Sequence, residues 1–160
     1  MPDQRTNVLA NILRELHFFR DFPETYMSQL ASISSIMHFA PGSFLAREAE
    51  DAKYFYALVS GRVAIETSSS NRHNLMLQTV KSGDVVGWSW NFAPYRWTFD
   101  ARALVQTEAI ALDAQKLRQV CAQDANLDLL ITRKLARVLI ERLQATRMQL
   151  LDVYGNKSNS

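Results

Sequence analysis

The sequence predicts a mainly β domain: an antiparallel, jelly-roll-like β-roll with N-terminal helices before it and a long C-terminal helix after it. Two observations carry that prediction. Short runs rich in β-branched and aromatic residues alternate with turn signals over residues 36–112. A stretch without Gly or Pro then covers residues 127–154. At 160 residues and 48% hydrophobic composition, the chain can bury one substantial core.

Each element has its own signal. Leu9, Ile12, Leu13 and Leu16 recur at helical spacing, and Phe19 extends the stripe. Pro23 opens a second helix, where its missing N–H costs nothing, and Tyr26, Met27, Leu30 and Ile33 share one face. Pro41-Gly42, Ser60-Gly61, the polar residues 68–71 and Ser82-Gly83-Asp84 then punctuate runs at 54–59, 62–67, 75–80, 85–90, 99–104 and 108–112. No helix-sized segment separates these runs, which excludes parallel βαβ units. Asp113 is a predicted N-cap for a short helix bearing Leu117, Val120 and Cys121.

The long helix ends in a heptad seam. Leu139, Leu143, Thr146, Leu150 and Val153 are spaced 4, 3, 4 and 3 residues apart. This seam predicts a homodimer, and the alternative is that the stripe packs on its own roll. The domain is expected to span residues 1–155, with a frayed polar tail at 156–160.

Composition excludes several classes of function. Lys and Arg total 18 against 16 Asp and Glu, too balanced for a chain dominated by phosphate neutralisation. A single cysteine, Cys121, excludes an internal disulfide, a thiolate zinc site and an iron–sulfur cluster. Charges at Asp3, Arg5, Arg14 and Glu15 argue against a signal peptide. No stretch approaches the ~18 apolar residues of a membrane span. The cytoplasm is the expected compartment.

Catalytic and metal chemistry find no residues to stand on. His17, His38 and His73 lie apart, with no second ligand two or four positions on, so no metal site is expected. Neither a G-x-S-x-G elbow nor a phosphate-cradling G-x-x-x-x-G-K run occurs. Glu48, Glu50 and Asp51 read as solvated loop acids rather than a catalytic pair. Arg133, Lys134, Arg137, Arg142 and Arg147 read as a solvated helix face with an Arg137–Glu141 pair, a nucleic-acid patch being the rival reading. The chain is not expected to be an enzyme.

Phe18-Phe19 with Phe22-Pro23, Pro41-Gly42, Tyr56-Ala57-Leu58-Val59-Ser60-Gly61 and Ser82-Gly83-Asp84, taken in that order, resemble the cyclic nucleotide-binding domain of catabolite-activator and FNR-type regulators. Phe18-Phe19 through Phe22-Pro23 and Leu30 are similar to the family's opening helices. The run from Phe39-Ala40-Pro41-Gly42-Ser43-Phe44-Leu45 to Arg47-Glu48 resembles its Pro/Gly turn and following strand. Tyr54 and Tyr56-Ala57-Leu58-Val59-Ser60-Gly61-Arg62-Val63 resemble its strand, Ser-Gly turn and next strand, where glycine supplies the turn geometry. Ser82-Gly83-Asp84-Val85-Val86-Gly87 then leads into the family's phosphate-binding segment.

That segment departs from the family pattern. Trp88 stands where the resemblance implies a glutamate for the ribose hydroxyl. Arg102-Ala103 matches the strand after the family's phosphate-binding arginine, and counting back without a gap puts Trp97 in the arginine's place, with Thr98 after it. Arg96 comes one residue early, and a one-residue bulge would bring it into position. Thr146 is similar to a long-helix threonine that touches the base. Loss of both polar partners would cost roughly 3–6 kcal/mol, two to four decades of affinity, which argues against ordinary cyclic AMP or cyclic GMP binding.

Trp88, Trp90 and Trp97 instead gather within ten residues, joined by Phe92, Tyr95 and Phe99. These rings either fill a pocket from which a nucleotide was lost or line a site for a different ligand. The candidate ligand-binding residues are Gly87, Trp88, Ser89, Trp90, Arg96, Trp97, Thr98 and Thr146. No cofactor is specified: a cyclic nucleotide, another small anion or an aromatic molecule all remain open. The expected role is a small-ligand-sensing regulatory module. The alternatives are an interaction or dimerisation scaffold that kept the fold, and a transcription regulator acting through a DNA-binding partner. Five residues follow Gly155, too few for a helix-turn-helix, so direct DNA binding is not expected.

Overall fold

The computed structural model describes residues 3–68 and 74–157. Two helices open the chain, α1 (Gln4–Glu15) and α2 (Glu24–Ser32), with a 3₁₀ turn His17–Phe19 between them. Asp3 caps α1 by accepting from the Thr6 amide at 2.7 Å. Pro23 is the N-cap of α2 rather than its first residue. The α1 stripe buries Leu9, Ala10 and Leu13, while Arg14 pairs with Glu24 to tie the two helices together.

Eight strands follow: β1 (Ser34–Phe39), β2 (Phe44–Ala46), β3 (Tyr54–Ser60), β4 (Arg62–Ser68), β5 (Asn74–Lys81), β6 (Val85–Val86), β7 (Asp100–Ala103) and β8 (Thr107–Asp113). They form two four-stranded antiparallel sheets, ordered β1-β8-β3-β6 and β2-β7-β4-β5. One apolar core joins them: Phe39, Phe55, Leu58 and Ile110 from the first, Leu45, Val63, Ile65 and Ala101 from the second. The mainly β, antiparallel roll read from the turn punctuation is the observed architecture. The predicted turn at 68–71 lies largely outside the described residues.

The Ser60-Gly61 turn shows why its glycine is required. Gly61 has φ +98°, and a Cβ there would stand 2.4 Å from Thr107 Oγ1 and 2.7 Å from Thr107 Cα. Position 61 therefore needs both positive φ and the absence of a side chain.

One predicted strand is mostly something else. The run 85–90 pairs only at Val85 and Val86; Gly87 then turns the chain at φ +100°, and Ser89–Asn91 form a 3₁₀ turn. Period and composition matched a strand, but the positive-φ glycine ended it.

Two helices close the chain. Asp113 caps α3 (Ala114–Gln123) by accepting from the Lys116 amide at 2.9 Å. The last helix, α4, runs Ala125–Lys157, passing through Gly155 and into the stretch expected to be a frayed tail. A single glycine in a helix costs only about 1 kcal/mol relative to Ala. Among the described residues, no helix is long and apolar enough to cross a membrane.

Candidate ligand-binding site around the Gly87 turn

The bend after β6 is built around an indole. Gly87 is buried, and a Cβ built on it would lie 2.3 Å from Trp97 Cζ3 and 2.6 Å from Trp97 Cη2. The six-membered ring of Trp97 thus rests directly on the Gly87 backbone. Trp97 is 4% exposed, stacks on Tyr56 (6.5 Å, 18°) and leans on Phe99 at 5.8 Å. Its backbone is held as firmly as its ring. The Trp97 amide donates to the Glu50 carbonyl at 2.9 Å, and the Ala49 amide donates to the Trp97 carbonyl at 2.8 Å. The loop of Glu48, Glu50 and Asp51 is therefore a backbone clamp for Trp97.

The candidate residues divide into separate groups. Gly87, Trp88 and Trp97 come together through Phe99, which lies 5.1 Å from Trp88. Ser89 and Trp90 point into the core instead. Trp90 is fully buried against Phe55 at 5.2 Å, and neither Ser89 Oγ nor Trp90 Nε1 finds a hydrogen-bond partner.

Arg96 turns outward. Its side chain is 58% exposed, its Nη1 donates to the Ala49 carbonyl at 2.9 Å, and Asp51 lies 3.8 Å away. It lines a groove of about 530 Å³ with Phe44, Arg47, Tyr54, Tyr56 and the outer edge of Trp97, apart from the Gly87 backbone. An isolated bridge pairs residues 96 and 51, so the chain here follows the 48–51 loop, and Arg96 does not reach the Gly87 turn. Thr98 is exposed, and Thr146 sits half-buried on α4.

The basic face of α4 needs correction. No ion pair joins Arg137 to Glu141 within 4 Å among the described residues; Lys134 pairs instead with Asp21 at 3.3 Å. Arg142 is not solvated. It crosses from α4 to the roll, donates from Nη2 to the Val85 carbonyl at 2.6 Å, and lays its guanidinium 5.3 Å from the Trp88 ring centre. Its Nη1 is buried without a partner. Burial pulls its pKa down to about 10, against the opposing pull of Asp84 and Glu141, so it stays charged at neutral pH.

The family model of the cyclic nucleotide-binding domain matches residues 36–124, more than half of the chain. The chain belongs to the cyclic nucleotide-binding domain family. It is 25% identical over 145 residues to a CRP-like cAMP-activated global transcriptional regulator of Mycobacterium tuberculosis, covering 91% of this chain and 63% of the regulator. The chain thus spans less than two thirds of that relative. A cyclic nucleotide-binding protein of Geobacter metallireducens has the same fold, with a TM-score of 0.75 and 25% identity over 84% of this chain and 97% of that one. The regulatory subunit of a cAMP-independent protein kinase A from Trypanosoma cruzi, solved bound to guanosine, matches with a TM-score of 0.72. That subunit is 17% identical, over 96% of this chain and 51% of its own.

Within this member of the cyclic nucleotide-binding domain family, two features escaped the sequence reading. Glu66, 2% exposed on β4, accepts two hydrogen bonds from Arg102 on β7, at 2.6 and 3.0 Å. The other is the burial of Arg142. An arginine four residues before Thr146, on a helix with alternating charges, carries no sequence mark of burial; only the packing of α4 on β5 and β6 sets it there.

Proposed function

We propose that this domain is a regulatory module whose nucleotide concavity is filled by its own Trp97, and whose output is carried by α4. The contact of the Trp97 ring with the Gly87 backbone carries the reading. A cyclic phosphate needs backbone N–H groups at such a turn and a fixed guanidinium beside it. Here an apolar ring covers the turn, and Arg96 is committed to Ala49 and Asp51. Gly87, Trp88 and Trp97 then act as the plug, Ser89 and Trp90 as its support, and Arg96 and Thr98 as its outer rim. The reading favours the interaction or dimerisation module over a cyclic AMP sensor.

The α4 helix supports the second half of the proposal. Its first turns bury Leu127, Ile131 and Leu135, but Leu143 is 70% exposed, and Leu150 and Val153 are more than half exposed. The seam of Leu139, Leu143, Thr146, Leu150 and Val153 would pair with a second copy.

Thermal unfolding tests the plug. Cyclic AMP, cyclic GMP and guanosine, each at about 1 mM, should leave the melting temperature unchanged, because only a ligand that binds the folded state raises it. Guanosine is included because the Trypanosoma neighbour was solved with it. A rise of several degrees with cyclic AMP, lost in Arg96→Ala, would overturn the proposal.

A further inference from the structure

A second concavity lies against α4. It is a cleft of about 410 Å³ between α4, β5 and the turn leading into β6. Its floor is apolar: Phe18, Val80, Val85 and Val138. Charge lies around that floor, with Lys134, Arg137 and Arg142 set against Asp84 and Glu141. Gly87, Trp88 and Trp97 do not line it, although Val85 and Arg142, which neighbour that turn, do.

We propose that this cleft binds an organic monoanion, a single carboxylate on a flat apolar body, with the carboxylate on Arg142. Three observations carry the inference. Arg142 ends at Val85, itself a wall of the cleft, and makes one hydrogen bond there. Its Nη1 is buried without a partner, and no carboxylate lies within 4 Å of it among the described residues. A buried guanidinium with unspent donors is costly alone and binds an incoming carboxylate through charge-assisted, two-pronged hydrogen bonds.

The lining charge sets the valence of the ligand. Three cations and two carboxylates line the cleft, a surplus of one positive charge, and Asp21, which pairs with Lys134, is not among the lining residues. A single negative charge is accommodated at Arg142, and Arg137, with no ion pair within 4 Å among the described residues, also lines the cleft. A dianionic phosphate monoester would meet Asp84 and Glu141 with repulsion.

The cleft also reaches the output helix. Arg142 bridges α4 to the Val85 carbonyl and the Trp88 face. A carboxylate drawing Arg142 toward the cleft would compete with both contacts and change how α4 sits on the roll. Only a difference in affinity between the two helix positions gives such a ligand control.

Three naphthyl probes with one body test this by calorimetry on the full chain. 2-Naphthoate should bind at least about tenfold more tightly than neutral 2-naphthylmethanol, as one charge-assisted bond allows, and more tightly than 2-naphthyl phosphate. Arg142→Met should erase the advantage of naphthoate over the alcohol. Ala145→Trp, which fills the cleft from an exposed helix position, should abolish binding of all three. Arg96→Ala, at the rim of the Gly87 turn and outside the cleft lining, should leave naphthoate affinity unchanged, which separates this cleft from the Gly87 turn. Naphthoate binding equal to that of the alcohol, tighter binding of the phosphate, unchanged affinity in Arg142→Met, or no binding at about 1 mM would each overturn the proposal.

Discussion

The two concavities of this domain solve opposite problems. At the Gly87 turn, the backbone is covered by an indole, and Arg96 is spent on the Ala49 carbonyl and Asp51. Beneath α4, a place floored by apolar side chains holds an arginine with one buried N–H group unpartnered and no ion pair within 4 Å among the described residues. The Gly87 backbone is covered by a ring, while the cleft beneath α4 stays open beside a buried arginine. Trp88 stands between them, with Phe99 and Trp97 on one side and Arg142 on the other. A perturbation at either concavity therefore meets the other through one ring.

The largest expected effect comes from removing the plug. Trp97→Ala should cost about 3–5 kcal/mol, the usual loss for a large buried aromatic, and lower the melting temperature by roughly 10 °C. Free indole should recover part of that loss by entering the void. A cost below about 1 kcal/mol would mean that the ring is not what fills the turn.

Gly87→Ala ranks next, at about 2–4 kcal/mol, because strain from a positive φ adds to overpacking against Trp97. In the Trp97→Ala background the overpacking part should vanish. Denaturant melts of the two single variants and the double variant would measure that coupling, and strict additivity would break the contact argued here.

The seam on α4 gives an effect on assembly rather than on fold. Leu143→Glu with Leu150→Glu should convert a dimer to a monomer in light scattering at about 100 µM while leaving helix content unchanged. A wild-type monomer at that concentration would remove the pairing proposal.

Two smaller effects concern buried titratable groups. Arg142→Met should change stability by less than about 1.5 kcal/mol, or raise it, because it replaces a buried charge that has no close ion pair with an apolar stem. A loss of 3 kcal/mol or more, read by denaturant melts, would mean that the bond to Val85 outweighs the cost of desolvation (about the size seen when a buried pair is broken).

Cys121 behaves in the opposite sense. Burial, then Asp128 and Asp124, raise its thiol from 9.0 to about 11, so the folded state holds the proton longer than the unfolded chain. Its contribution to stability is complete below pH 9 and is lost as the pH rises toward 11. Cys121→Ala should flatten that part of the stability profile, and the native thiol should resist disulfide reagents at pH 8 (conditions under which an exposed cysteine of ordinary pKa reacts).

Much of the fold was legible because it rests on local rules. Asp113 before a helical run, Gly61 at a hairpin and the Gly- and Pro-free stretch after residue 125 each act within a few residues. The 85–90 run was misread because a strand of two residues followed by a positive-φ bend shares its composition with a longer strand. The candidate site was legible only as a neighbourhood. Sequence order placed Trp88, Trp90, Arg96 and Trp97 together, but three of them point in different directions: Trp90 into the core, Trp97 onto Gly87, Arg96 out to Asp51.

By itself, then, the sequence determined the roll, its turns and the long helix, since hydrophobic period, caps and glycine geometry are set by near neighbours in the chain. It also determined that the turn after β6 would be aromatic rather than acidic. Which ring fills that turn, and which arginine is buried, were decided only by tertiary structure. Both depend on contacts beyond near neighbours in the chain, Trp97 with Gly87 ten residues back and with the distant 49–50 loop, Arg142 with the distant Val85 and Trp88. A side chain's solvation and hydrogen-bond partners are properties of the space it ends in, and no local pattern encodes that space.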